Sequence, residues 1–296
     1  MPSRVSADAS VLYDVVHTTS YQYSEAVSVS QHIARLTPRL LPHQLCLEHW
    51  LTIVPAPALQ TEHVDYFGNR ATVFAMRGGH RQLRVDAHSR VRLQPRRVLR
   101  RHESPPWEAA TNRDLLPLEA VDCVVDSPLL RSAPEYGAYA RESFTPGRPL
   151  LEALLDLTRR IFEDFTFEPG ATTVATNLAE VFRTRRGVCQ DFACFGIACL
   201  RSLGLAAEYV SGYLETVPAP GQPRRIGADA SHAWLAVYCP GFGWIEADPT
   251  NNLLPSTGHV TLACGRDYGD ISPLRGVILG GGRHLLSVSV DVARVE

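Results

Sequence analysis

The chain has 296 residues, 45% of them hydrophobic and 20% charged, with 29 basic against 31 acidic side chains and a formal net charge of −2 at pH 7. That is an ordinary globular composition with enough chain for two domains, and its near-neutral balance gives no electrostatic reason to expect nucleic acid or an anionic membrane as partner. No segment approaches the apolar length of a membrane span, residues 1–10 lack the blocks of a secretion signal, and seven irregularly spaced cysteines argue against a disulfide framework, so a reducing cytoplasm is the expected compartment.

From residue 11 the chain alternates, with Tyr13, Val15, His17, Thr19 and Tyr21 on one face, which predicts a half-buried strand. Residues 27–36 repeat the pattern as far as Thr37-Pro38, and residues 45–54 form another strand closed by Pro55 and Pro57. Phe67-Gly68-Asn69 marks a tight turn before a strand at 71–76, and Gly78-Gly79 reads as a hairpin turn after it. Leu83, Val85, Ala87, Val91 and Leu93 then alternate with Arg84, Asp86, His88, Arg90 and Arg92. Five or more short strands separated by turns predict an antiparallel β-sandwich in an N-terminal domain over 1–105, its histidines largely on polar faces.

Residues 95–106 read as a linker, and the basic run at 96–102 as a solvated part of it, since no recognition motif accompanies it. Short helices broken by Pro117, Pro128 and Pro134 are expected over 107–147. Leu151, Leu154, Leu155, Ile161, Phe162 and Phe165 mark an amphipathic helix with Arg159 and Arg160 on its wet side, and Asn177 can cap a helix running toward Phe182.

The most informative stretch runs from Arg185 to Gly204. Gly187 supplies a turn; Cys189, Phe192, Ala193, Gly196, Cys199, Leu200 and Leu203 then recur at the spacing of one helical face, and Gly204 stops the helix. Cys189 therefore faces inward at a helix start, beside unpaired N–H groups and the positive end of a helix dipole, a setting in which cysteines act as nucleophiles. Free cysteines are more often inert core residues. Here, however, Ser231-His232-Ala233-Trp234 and Trp244-Ile245-Glu246-Ala247-Asp248 follow in strand-like segments. Cysteine, histidine and aspartate in that order are a nucleophile, its base and the base's orienter.

A strand over 206–213, a Pro- and Gly-rich loop over 217–228, and a hairpin of 232–238 with 244–248 bring His232 and Asp248 to one end of adjacent strands. Strands at 259–264 and 274–279 follow, and 286–292 is expected to finish the same sheet. Gly280-Gly281-Gly282 is a poor phosphate cradle, with no helix and no Lys-Ser/Thr after it. Cys189, Cys194 and Cys199 step by five residues, about 140° on a helix, and so diverge rather than hold a metal. No metal or other cofactor is expected.

The motifs Arg186-Gly187-Val188-Cys189-Gln190-Asp191-Phe192-Ala193, Tyr209-Val210-Ser211-Gly212-Tyr213, Ser231-His232-Ala233-Trp234 and Asp248-Pro249-Thr250-Asn251, taken in order, resemble the bacterial transglutaminase-like superfamily. His17-Thr18-Thr19-Ser20-Tyr21 and Asp65-Tyr66-Phe67-Gly68-Asn69 resemble the β-rich region that precedes this core in bacterial members, so the likeness covers nearly the whole chain. It implies an α+β protein in which a papain-like, transglutaminase-like core over 106–296, with helices packed on an antiparallel sheet, follows the N-terminal β-sandwich. It further implies Cys189 as nucleophile, His232 as base and then acid, and Asp248 as orienter. Cys194 departs from the histidine expected there in relatives, which puts any auxiliary role at that position in doubt.

On this basis the chain is expected to be a cysteine-dependent amide or peptide-bond hydrolase or acyltransferase working through a thioester on Cys189, with hydrolysis favoured because water is the default acceptor. The alternatives are transglutaminase-type amine transfer and a non-catalytic peptide-binding module that keeps the groove. The expected partner is a peptide or protein bearing an amide acyl group. The Cys189 N–H is one oxyanion donor, with Gln190 and Tyr209 as candidates for the second. Asp191 is a favourable charge in the first helical turn. Trp234 and Trp244 are candidates for core and groove wall, while Arg185 and Arg186 read as solvated loop charges.

Overall fold

The structure, a computed structural model, describes residues 10–96, 100–173, 176–215 and 231–295. Its first part contributes four strands, β1 (Val11–Ala34), β2 (Gln44–Val54), β3 (Leu59–Val64) and β4 (Arg70–Leu93). Helices α1 (Leu118–Val121), α2 (Pro134–Arg141) and α3 (Leu150–Asp164) follow, then β5 (Thr166–Phe167), α4 (Leu178–Thr184), β6 (Arg186–Gly187) and α5 (Cys189–Ser202). The chain ends with β7 (Ala207–Leu214), β8 (Ser231–Cys239), β9 (Gly243–Ala247), β10 (His259–Gly265), α6 (Tyr268–Ile271), β11 (Leu274–Gly280) and β12 (His284–Val295). No helix among the described residues is long and apolar enough to cross a membrane.

Four of the expected short strands are halves of two longer ones. β4 runs unbroken through Gly78-Gly79 because it stays paired with β1 on both sides of that point, so the glycines, with Gly78 at φ 98°, bend a strand instead of closing a hairpin. β1 likewise continues past residue 21, with register shifts between Gln22 and Val29. Tyr23, Val27, Phe74, Met76, Ile53, Leu83 and Val85 come from both halves of the bent strands and from β2, yet they share one buried cluster. The sandwich is thus one six-stranded antiparallel sheet folded over itself.

The last two strands depart further from expectation. β12 pairs along the first half of β1, from Leu12↔Val295 to Tyr23↔His284, and β11 pairs along its second half. They complete this sheet and not the core sheet, whose order is β10-β7-β8-β9. Alternation alone identifies a strand but carries no information about which edge it joins. A division at 105/106 follows the chain, while the strand-rich sheet takes residues from both sides of it.

The core sheet is covered by α5. Phe192, Phe195, Ile197 and Leu200 share one buried cluster with Ala233, Leu235 and Val237 of β8, and each such large apolar side chain contributes about 1.5–3 kcal/mol relative to exposure. Gly196 allows the close approach, since a Cβ there would lie 2.4 Å from Leu235 Cδ2. Val15, Val91, Val290 and Val292 of the strand-rich sheet join this same cluster, so the two layers share a core.

Polar side chains lock the layers together. The Gln44 amide donates to the Thr261 carbonyl at 2.7 Å and accepts from its N–H at 2.8 Å. Asn69 does the same at Cys264, at 2.8 and 2.9 Å. Both amides are buried, and together they occupy the outer edge of β10, an edge strand that would otherwise present unpaired backbone. The Asp65 carboxylate, which accepts from the Phe67 and Asn69 N–H groups, shapes the turn that presents Asn69. His17 is buried at this junction with Nδ1 2.8 Å from the Tyr213 hydroxyl, which corrects the placement of the N-terminal histidines on polar faces. His32 and His80 are buried as well. The expected loop at 217–228 and residues 97–99 of the basic run lie outside the described residues; Arg96, at the start of that run, is paired with Glu246 at 2.6 Å.

Candidate active site

β6 feeds directly into α5 and is held by parallel pairing with β5, Phe167↔Gly187. Asp191, in the first turn, accepts from the Val188 N–H at 2.8 Å and from the Thr172 hydroxyl at 2.5 Å, so its charge is committed to fixing the helix start. Cys189 is the first residue of the helix and is half-buried, with its backbone N–H among those a helix start leaves without an intrahelical partner. All seven cysteines are free. Burial raises the thiols of Cys46, Cys123, Cys194, Cys199, Cys239 and Cys264 above their ordinary range, and none of those six lines the cavity on which Cys189 opens.

The Cys189 side chain and the His232 ring line the same cavity, close enough for the sulfur to favour the charged imidazole. His232 Nε2 lies 2.7 Å from Asp248 Oδ2, which leaves Nδ1 as the nitrogen available to the sulfur. β8, which carries His232, pairs with β9, which ends one residue before Asp248, with Leu235 opposite Ala247, the hairpin expected from sequence. Asp248 is fully buried and highly satisfied. Its Oδ1 accepts from the backbone N–H groups of Thr250 and Asn251, and its Oδ2 from the Asn251 amide at 2.7 Å.

A third partner was not found by sequence reasoning: His259 of β10 places Nε2 3.1 Å from the same Asp248 Oδ2. Its ring also stands edge-on to Trp234, with centroids 5.2 Å apart. Burial alone would raise the Asp248 carboxyl; the hydrogen bonds from His232 and His259 lead a set of donors that hold it well below the usual carboxylate range. Burial alone would depress the His232 imidazole; its hydrogen bond to Asp248, and then the Cys189 sulfur beside it, overcome this and raise it to about 9. His232, Asp248 and His259 have ligand-type atoms within 4.8 Å of one another, but to hold a cation they would have to give up the bonds that converge on Asp248.

Cys189 and His232 open onto a cavity of about 380 Å³, at the small end of ligand-sized sites. Gln190 and Tyr209 line it, so both oxyanion candidates reach the same space, and burial raises the Tyr209 phenol so that it stays a protonated donor. Trp234 and Trp244 do not line it, which corrects their assignment as groove walls. Trp234 is buried behind His232 with Nε1 donating to Glu246 at 2.5 Å, and its ring lies across Gly212, where a Cβ would meet it at 2.5 Å. Trp244 packs edge-on to Tyr238 and faces a different cavity. Arg185 and Arg186 are not free charges either. Arg185 takes the left-handed C-cap position of α4 at φ 56° with its guanidinium over the Phe182, Phe165 and Tyr139 rings, and Arg186 pairs with Glu168 at 3.2 Å.

Comparison with known proteins bears on the family and the fold. Residues 13–92 match the bacterial transglutaminase-like N-terminal region, and residues 137–249 match the transglutaminase-like superfamily. An uncharacterized protein of Mycobacterium tuberculosis is 43% identical over 96% of this chain and 93% of its own length. A protein-glutamine gamma-glutamyltransferase of Pseudomonas aeruginosa is 31% identical over 39% of this chain and 17% of that one. The crystal structure of a protein of Cytophaga hutchinsonii, provisionally named a cysteine protease, superposes with a TM-score of 0.78 at 22% identity, covering 97% of this chain and 92% of that one.

Proposed function

Because the chain belongs to the transglutaminase-like superfamily, we propose that it is a cysteine-dependent amide or peptide-bond hydrolase working through a thioester on Cys189. The observation that carries this reading is the meeting of Cys189 and His232 on one ligand-sized cavity, with the His232 ring bonded to the buried Asp248 carboxylate. In the first half-reaction the sulfur attacks an amide carbonyl while the proton shared by Cys189 and His232 resides on the ring. The S–C bond forms, the C–N bond breaks, and His232 passes its proton to the departing amine. Water then attacks the thioester, gives a proton to His232, and releases the acid and the thiol. Asp248 orients the ring, and the Cys189 N–H with a donor from Gln190 or Tyr209 faces the developing oxyanion.

Amine transfer is the second reading, supported by the similarity of part of the chain to the Pseudomonas aeruginosa protein-glutamine gamma-glutamyltransferase. The free state of all seven cysteines is compatible with a reducing, cytoplasmic compartment. The experiment is incubation of the protein with a peptide library and an isotopically labelled primary amine, with products read by mass spectrometry. Hydrolysis predicts free carboxylates with little label. Labelled amides as the main product would replace water by amine as acceptor, and no Cys189-dependent product of either kind would remove the enzymatic reading.

A further inference from the structure

The wall of the Cys189 cavity opposite α5 is built by the strand-rich sheet. Thr19 and Tyr21 of β1 stand opposite Val288 and Leu286 of β12 in the antiparallel register, and all four line the cavity, together with Phe167 and Leu274. Among the described residues no Asp, Glu, Lys or Arg lines it. The ionisable groups that do line it, apart from the Tyr hydroxyls and the Cys189–His232 pair, reduce to His17, whose ring nitrogens are engaged by Tyr213 and Thr19. The nearby charges are turned elsewhere, Asp191 to the Val188 N–H and Arg186 to Glu168.

Leu286 and Val288 are 53% and 50% exposed, and Phe167 is 50% exposed, although the next two residues on the same face of β12, Val290 and Val292, are fully buried. An apolar face that runs out of the core into the space around a nucleophile is left wet unless a ligand covers it. The larger cavity, about 650 Å³, offers the opposite chemistry, with His43 and the Arg96–Glu246 pair on its wall and no thiol.

We propose that the strand-rich sheet forms a substrate subsite between Tyr21, Leu286 and Val288 that takes an uncharged, bulky apolar side chain next to the reacting amide. The substrate class is then a peptide with a Leu- or Phe-like residue flanking the acyl group, and the selecting element is the C-terminal strand β12 laid on β1. This deepens the thioester reading and rests on it for its use in catalysis, but the subsite itself can be measured without turnover.

The test uses the full-length Cys189→Ala protein and fluorescein-labelled hexapeptides that differ only in one central residue, Leu, Phe, Glu or Lys, with affinity read by anisotropy. The Leu and Phe peptides should bind about tenfold tighter than the Glu and Lys peptides, about 1.4 kcal/mol. Adding Leu286→Asp should abolish that preference, whereas Leu286→Met, which keeps an apolar side chain of similar size, should preserve it. Because position 286 is half exposed, the charged variant is tolerated by the fold, and its far-ultraviolet circular dichroism should match that of the parent. Equal affinity for all four peptides, tighter binding of a charged one, or an unchanged preference in Leu286→Asp would overturn the subsite. The same peptides are then offered to the wild-type protein. Apolar preference in binding with no turnover would support the subsite and count against the thioester reading, which separates the two failures.

Discussion

Asp248 binds two imidazoles through one oxygen, with His232 at 2.7 Å and His259 at 3.1 Å. One ring shares the cavity with the thiol; the other backs the carboxylate from β10 and fixes where it points. A pH profile tests this arrangement. The His232 ring is raised to about 9, so the proton needed by the leaving amine is held below that pH and lost as pH rises through it. The account predicts a kcat/KM that falls on the alkaline side near pH 9. Asp248→Asn removes the bond that does most to raise the ring, so the limb should move to lower pH and kcat should fall on the order of 10²–10⁴-fold. An alkaline limb that stays in place in that variant would count against Asp248 as the orienter. The thiol, the first ring and the carboxylate were legible because residue type and motif order carry their chemistry. His259 was not, because its approach depends on β10 joining β7 at the far side of the sheet, and spacing along the chain does not encode strand order. The misplacement of Trp234 has the same origin: the indole fits behind His232 only because Gly212 of the neighbouring strand leaves room for it.

Among the elements, α5 was the most readable, since a glycine turn, a helical apolar face and a stop signal bracket it on both sides. The long strands were the least, because β1 and β4 pass through bends that look like turns when read locally. Arg201 shows a further limit. In sequence it is a cation suited to the last turn of a helix; in the fold it is buried and donates to the carbonyls of Cys123, Ala207 and Arg266, tying α5 to three other segments. The edge strand β10 gives the sharpest test at this scale. Asn69→Leu keeps roughly the volume but strips the partners from the Cys264 N–H and carbonyl, and each buried unsatisfied group costs about 1–3 kcal/mol. The expected outcome is a loss of about 2–4 kcal/mol in urea unfolding and faster amide exchange at Cys264. Unchanged stability and exchange would show that the amide clasp does not hold the edge.

For the whole molecule, the arrangement matters because the cavity beside Cys189 has two walls of different origin. The core supplies the sulfur, the imidazole and the carboxylate, while β1 and β12 supply the apolar face opposite them. The α+β class and the order of a strand-rich part before a transglutaminase-like core were readable from the chain. The return of residues 274–295 to the N-terminal sheet was not, since it joins the two ends of the sequence and no local pattern reports it. The central claim is that this assembly makes a thioester at one sulfur. The most direct measurement is intact-protein mass spectrometry after rapid acid quench of the full-length chain with an activated amide or ester of a Leu-bearing peptide. The account predicts an added acyl mass, mapped by digestion to Cys189, that is absent in Cys189→Ala and strongly reduced in His232→Ala. Acyl mass on another cysteine, or equal labelling in His232→Ala, would contradict it.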